Sequence, residues 1–170
     1  MDDVSAGTMT LSQAAEAHLD DVHAYLVYLT GDRALAEELT AATFERALGV
    51  WRRFDPRRGS VRTWLCQIAR TLALDHFRAE RRRVRRETAY AAREPREAAE
   101  PLVDGLSPAL ERALRALSAA DREVIALRVL LELDGPTAAG VLGISPTACS
   151  TRLSRALERL EERMKDAVAV

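Results

Sequence analysis

Between residues 55 and 86 the chain carries ten arginines against three acidic residues, a net charge of +7. The densest stretch, "RAERRRVRR" at 78–86, directly follows an apolar helical stripe. Guanidinium groups concentrated in this way can hold a polyanion, above all a nucleic-acid backbone. A solvated helix end has a similar look, because arginine suits a helix C-terminus. The neighbouring stretches have the opposite or no sign: −5 over residues 1–54, −3 over 87–105 and 0 over 106–170, for a total of −1. Acidic flanks of this kind would oppose indiscriminate binding to DNA.

A second group of polar side chains lies near the C-terminus. Thr147, Ser150, Thr151, Ser154 and Arg155 fall largely off the apolar face formed by Leu153, Leu157, Leu160 and Met164. Before them come a short segment, "DGPTAAGVL", a tight turn at "LGI", and the pair Ser145-Pro146. A short helix, a glycine-containing turn and a longer capped helix form a helix-turn-helix pattern. Its second helix places its N-terminal half in the major groove. There Ser and Thr can bond phosphates or base edges, and Arg can read guanine with two hydrogen bonds. An ordinary helical hairpin with a wet outer face has the same spacing.

The elements that must position these groups are helical. The 170 residues are 48% hydrophobic and 30% charged, with little Gly or Pro, as expected of an all-α protein. The spacing predicts one helix from Leu11 to Leu29, capped by Ser12 and stopped at Gly31, and a second from about Arg33 to Phe54 carrying Leu35, Leu39, Phe44, Leu48 and Trp51. The loop "FDPRRGS" at 54–60 precedes a third, whose face is Val61, Trp64, Leu65, Ile68 and Leu72. Residues 87–106 lack an apolar stripe and read as a mobile linker. Beyond it four helices are expected, opened by Ser107-Pro108, Ser118, Asp134 and Ser145-Pro146. The result is two small helical domains, 8–86 and 107–166, joined by a flexible linker.

Taken together, "LTGDRALAEELTAATFERAL", "FDPRRGSVRTWLCQIARTLALDHFRAERRR" and "LSAADREVIALRVLLELDGPTAAGVLGISPTACSTRLSRALERL" resemble, in order, the bacterial RNA polymerase sigma factors of the extracytoplasmic-function type. The resemblance implies that residues 8–86 form sigma region 2, which binds the polymerase clamp and the promoter −10 element. Residues 107–166 would form region 4, which reads the −35 element. It places Glu38, Leu39, Ala41, Ala42, Thr43, Glu45 and Arg46 at the clamp. The usual polar pair of that contact is replaced here by Ala41 and Ala42. It places Arg57, Arg58, Ser60, Arg62, Gln67, Arg70, Thr71, Arg78, Arg81 and Arg82 at the −10 element, with Arg83, Arg85 and Arg86 facing nearby phosphates. Thr71 stands where the family commonly has Asn, and Asp75 matches a common family Asp. Trp64 is assigned to the core rather than to base stacking. Ser150, Thr151, Arg152, Ser154 and Arg155 fall on the recognition-helix positions, Arg155 for base readout and Arg152 for phosphate. The implied partners are core RNA polymerase and promoter DNA, with an anti-sigma factor as a family expectation.

Competing readings remain at this stage. One is a helix-turn-helix regulator that binds duplex DNA without replacing sigma; the other is a sigma-like adaptor that binds polymerase or an anti-sigma without initiating. An enzyme is not expected: no phosphate-binding glycine loop or nucleophile–base pair occurs, and no cofactor is implied. His18 and His23, five residues apart, do not share a helix face, so no metal site is expected. Cys66 and Cys149 sit in apolar helical places without a metal-binding motif, which fits a reducing cytoplasm. The N-terminus lacks a signal-peptide core and no apolar run is long enough to cross a bilayer, so no membrane insertion is expected. The apolar tail "KDAVAV" offers an end that a protease could read.

Overall fold

The computed structural model describes residues 9–87 and 101–168, and it is all-helical. Most of the expected linker, residues 88–100, and the last two residues of the tail lie outside the described residues. Three helices make the N-terminal region: α1 (Leu11–Thr30), α2 (Arg33–Val50) and α3 (Val61–Glu87). Between α2 and α3 run two 3-10 turns, Trp51–Arg53 and Pro56–Arg58. The C-terminal region holds α4 (Pro108–Ala116), α5 (Ala119–Ile125), α6 (Gly135–Leu142) and α7 (Pro146–Val168). None of the described helices is long and apolar enough to cross a membrane.

Local chemistry sets the boundaries. The cap of α1 is Thr10 rather than Ser12. Thr10 accepts from the Gln13 amide at 3.2 Å while the Gln13 side chain accepts from the Thr10 amide at 2.8 Å. That reciprocal pair satisfies two otherwise orphaned donors, which Ser12 cannot do. Gly31, at φ 67°, closes the helix in the left-handed region that glycine tolerates. Asp32 then opens α2 by accepting from the Leu35 amide at 3.1 Å. The second helix ends at Val50, four residues short of the expected limit, where the 3-10 turn begins. Ser107, Ser118, Asp134 and Ser145 cap α4 to α7 as expected, each accepting from the amide three residues on.

The helix opened by Ser118 divides before Asp134. After α5 the backbone widens into a π turn, Ala126–Leu130, in which the Leu131 amide reaches back to the Ala126 carbonyl at 2.8 Å. Glu132 takes φ 52° and the Arg128 guanidinium donates to the Leu133 carbonyl, which turns the chain into α6.

The buried face of α2 is Ala36, Leu39, Thr40, Thr43 and Ala47, so Leu48, one residue round the helix, is 68% exposed rather than in the stripe. In α7 the buried line runs through Cys149 and Ala156, with Leu153 and Leu160 beside it, and Leu157 is exposed. Small residues here let neighbouring helices approach closely.

The two regions touch. α1 packs on α2, α3 and α5, and α3 meets α6. One apolar cluster runs from Tyr25, Leu26 and Leu65 to Val124, Leu127 and Leu133. The far end of the expected linker belongs to it: Leu102 is 4% exposed, and its amide donates to Glu111 at 3.0 Å.

Candidate nucleic-acid interface

The first candidate surface is built on the bend between α2 and α3. Asp55 accepts from the Arg57 amide at 2.9 Å and fixes the Pro56–Arg58 turn. Ser60 caps the start of α3 by accepting from the Thr63 amide at 3.1 Å. Trp51, Phe54 and Trp64 pack as a ring cluster with centroids 5.4 to 5.7 Å apart. Beside them opens a cavity of about 260 Å³, walled by Phe54, Asp55, Arg58, Ser60, Thr63 and Gln67 among others. Its chemistry is an aromatic edge with hydroxyl, amide and guanidinium donors, a combination that can stack and hydrogen-bond a nucleobase. Trp64 packs in the ring cluster and also lines the cavity. Phe54, Asp55 and Thr63 were missed from the sequence. The proximity of "WRRF" to the "DP" turn was the available signal.

Arg57, Arg58, Ser60, Gln67 and Thr71 are exposed. Thr71 returns its hydroxyl to the Gln67 carbonyl at 2.9 Å. Further along α3, Arg78, Arg81 and Arg82 are exposed too, with Arg78 bonded to Asp75 at 2.9 Å and Arg83 to Glu80 at 2.7 Å. Asp75 therefore serves a neighbouring arginine. Two of the named arginines face inward. Arg62 lies 3.4 Å from Asp21, and Arg70 donates to Glu123 of the C-terminal region at 2.7 Å.

Glu123 is 3% exposed and also accepts from the Tyr25 hydroxyl at 2.7 Å. Burial first, and then the Glu123 charge, pushes the Tyr25 phenol well above its ordinary range. Burial likewise lifts the Cys66 thiol to about 12. Arg122 lies with its guanidinium against the end of α1, and burial lowers its pKa.

On the exposed side of α2, Glu38, Ala41, Glu45 and Leu48 form one stripe, with Arg46 exposed and Ala42 half-buried beside it. Two residues assigned to the clamp do not reach that surface. Leu39 is buried in the stripe against the neighbouring helices, and Thr43 is wholly buried with its hydroxyl on the Leu39 carbonyl at 2.6 Å.

The second candidate surface is the start of α7. Gly143, at φ 67°, ends α6, and the Ile144 amide returns to the Ala139 carbonyl at 3.1 Å. Cys149 is fully buried beneath this turn. Ser150, Thr151, Ser154 and Arg155 stand exposed, and Arg152 is half-buried. Thr151, Arg152 and Arg155 share a shallow groove with Ser145 and Arg159. Arg159 is held by Asp121 at 2.9 and 3.1 Å, which ties α7 to α5.

Two family models match the chain: Sigma-70 region 2 over residues 14–83 and Sigma-70 region 4 over residues 107–160. The chain is 33% identical over 155 residues to the ECF RNA polymerase sigma factor BldN of Streptomyces coelicolor, covering 89% of this chain and 59% of BldN. It is 35% identical over 153 residues to the ECF RNA polymerase sigma factor SigC of Mycobacterium tuberculosis, covering 85% of this chain and 78% of that one. Among solved structures it is similar to the sigma factor RpoE of Bartonella quintana, determined in complex with the anti-sigma factor NepR. The TM-score is 0.75 at 25% identity, over 91% of this chain and 96% of that one.

Proposed function

The chain belongs to the extracytoplasmic-function sigma factors of the sigma-70 family, which serve transcription initiation with RNA polymerase and are not themselves enzymes; on that premise we propose how its residues divide the work. Residues 8–86 bind the polymerase clamp and the melted −10 strand, and residues 107–166 read the −35 duplex. The observation that carries this reading is the presence of two chemically different sites on one chain. One is a concave pocket beside a ring cluster; the other is an exposed helix start behind a glycine turn.

Unstacking a base costs a few kcal/mol, so a pocket must replace the lost stacking and hydrogen bonds. Phe54, Ser60, Thr63 and Gln67 offer those replacements, and Arg57 and Arg58 hold the flanking phosphates. The arginines of the second half of α3 continue the phosphate track. At the other end Arg155 reads a base edge and Arg152 holds phosphate, with Ser150, Thr151 and Ser154 as lesser donors. At the clamp, Ala41 and Ala42 leave the centre of the α2 stripe without polar groups, and exposed Leu48 provides an apolar contact in their place. An anti-sigma partner fits this reading, since the Bartonella relative is held by one. So does a cytoplasmic location, where polymerase and promoter are found.

The test is reconstitution with sigma-free core RNA polymerase on a library of promoter-like DNA. Run-off transcripts that share elements at −35 and −10 spacing are expected. The alanines of α2 are the feature that favours an adaptor instead; polymerase binding without transcripts would select it. Duplex binding without polymerase binding would select a stand-alone regulator.

A further inference from the structure

A second concavity shares Trp64 and Arg53 with the pocket beside the ring cluster. It is a groove of about 500 Å³ between the end of α2 and one face of α3. Its floor is apolar: Val50 from α2, with Trp64, Ile68 and Leu72 from α3, all half-buried. The three α3 residues stand four apart and so line up along one side of the helix. Arg46 and Arg53 form the rim, and both are exposed.

The polar groups at the groove's other edge are already engaged. Thr71 donates its hydroxyl to the Gln67 carbonyl at 2.9 Å, and Asp75 accepts from Arg78 at 2.9 Å. What remains to attract a ligand is the apolar floor and two cations. Unlike Arg62, Arg70, Arg78 and Arg83, neither Arg46 nor Arg53 has a carboxylate partner among the described residues. An apolar floor between unpaired guanidinium groups suits a nucleotide, whose ring can lie on the indole and hydrocarbon surface while its phosphates meet the arginines. The exposed stripe of α2 next to the groove has the opposite character. Glu38 and Glu45 make that stripe acidic, so it suits a basic or neutral partner, whereas the groove suits an anion.

We propose that this groove is a second nucleotide subsite for the melted strand. The base adjoining the one in the pocket lies on Trp64, Ile68 and Leu72, and Arg53 and Arg46 hold its flanking phosphates. Arg46 then serves the strand rather than the clamp, and Arg53 stands between the two subsites. The pocket offers hydroxyl and amide groups that can read a base edge; the groove offers contact area and charge. It therefore adds affinity for any unpaired base without selecting among them. The inference rests on the assignment of the pocket to the −10 strand, and a variant in the pocket tests that assignment separately.

The experiment uses holoenzyme assembled from the full chain and saturating core RNA polymerase. The probe is a fluorescently labelled oligodeoxythymidine, with binding to core alone as the background. Anisotropy titrations at several salt concentrations give the affinity and its salt slope. Arg46→Gln should weaken binding and reduce the slope by about 0.7, the share of one phosphate contact on a single strand. Ile68→Ala should weaken binding roughly two- to fivefold with the slope unchanged, because it removes apolar contact and no charge. Gln67→Ala, in the pocket, should weaken binding as well. All three results together uphold the subsite. If Gln67→Ala weakens binding but either groove variant binds as wild type does, or Arg46→Gln keeps the full slope, the groove is overturned and the pocket stands. Loss of core affinity in Arg46→Gln, with probe binding by the saturated holoenzyme unchanged, is one form of that outcome and leaves Arg46 at the clamp. If Gln67→Ala has no effect, or wild-type holoenzyme binds no better than core alone, the assignment of the pocket falls and the groove falls with it. Should Ile68→Ala lose its helical circular dichroism, Leu72→Ala is read in the same way.

Discussion

The two candidate DNA surfaces handle charge in opposite ways. On α3 several arginines already have acidic partners: Arg62 with Asp21, Arg70 with Glu123, Arg78 with Asp75 and Arg83 with Glu80. At the start of α7 the side chains proposed to read DNA stand largely open, in a region whose formal charge is zero. A strand-capturing surface needs many cations, and a surface that strong would bind any polyanion unless its charge were held in check. A duplex-reading helix relies on a few directional contacts and can be left exposed. The difference teaches that the basic block is not a free patch. Part of its charge is balanced within the fold, and any polyanion bound there would have to compete with those carboxylates.

The largest effect expected concerns the core that holds the basic face rather than the face itself. Leu65 is fully buried on the inner face of α3, the helix carrying the arginines, whereas Leu157 is exposed on α7, the helix carrying the residues proposed to read DNA. Leu65→Ala should cost about 2–5 kcal/mol of stability through lost transfer energy and a residual cavity. Leu157→Ala should stay within about 0.5 kcal/mol. Urea unfolding monitored by circular dichroism measures both. Similar costs for the two would mean that the apolar lines of α3 and α7 are placed wrongly.

The next effect separates the two readouts. Arg155→Ala should lower transcription from the cognate promoter by about 1–3 kcal/mol of discrimination, roughly 5- to 150-fold, through the −35 element alone. A promoter already mutated at −35 should show little further loss, and a premelted −10 template with no −35 element should show none. Run-off assays on the three templates compare the losses. Equal losses on matched and mutated −35 elements would remove Arg155 from base reading.

Much of this organisation was legible in the sequence wherever it depended on neighbours three or four residues away. Ser107, Ser118, Asp134 and Ser145 were readable as caps because a cap is a local hydrogen bond. Ser12 failed because the competing Thr10 gains a second bond from Gln13. The burial stripes were misplaced by one residue at Leu48 and Leu157. Large apolar side chains attract attention in a sequence, but the small residues Ala36, Ala47, Cys149 and Ala156 are the ones with no exposure. Thr43 looked like surface because threonine is polar, yet an i−4 carbonyl can satisfy its hydroxyl inside a helix. The site was legible as a list of residue types around Arg57 to Arg82. The pairing of Arg70 with Glu123, 53 residues away, was not, since no local spacing encodes a contact between regions.

The smallest effect, and one that tests burial at the heart of the basic region, is alkaline. Cys66 lies on α3 with no exposure, and burial raises its thiol from 9.0 to about 12. Below pH 9 both folded and unfolded chains keep the proton, so the contribution of this group to stability is fully present. Between pH 9 and about 12 the unfolded chain releases it while the folded chain retains it, and unfolding is favoured progressively. The buried Tyr25 phenol, raised above its ordinary value of 10, acts in the same direction. Stability measured by urea titration should therefore decline as pH rises above 9, and Cys66→Ala should make that decline shallower. At neutral pH the native thiol should resist iodoacetamide and react once urea unfolds the chain. A Cys66 that alkylates readily in the native protein at pH 7.5 would mean that α3 separates from α1 on the time scale of the reaction. The basic face would then rest on a looser core than the packing of Leu65 and Ala69 describes.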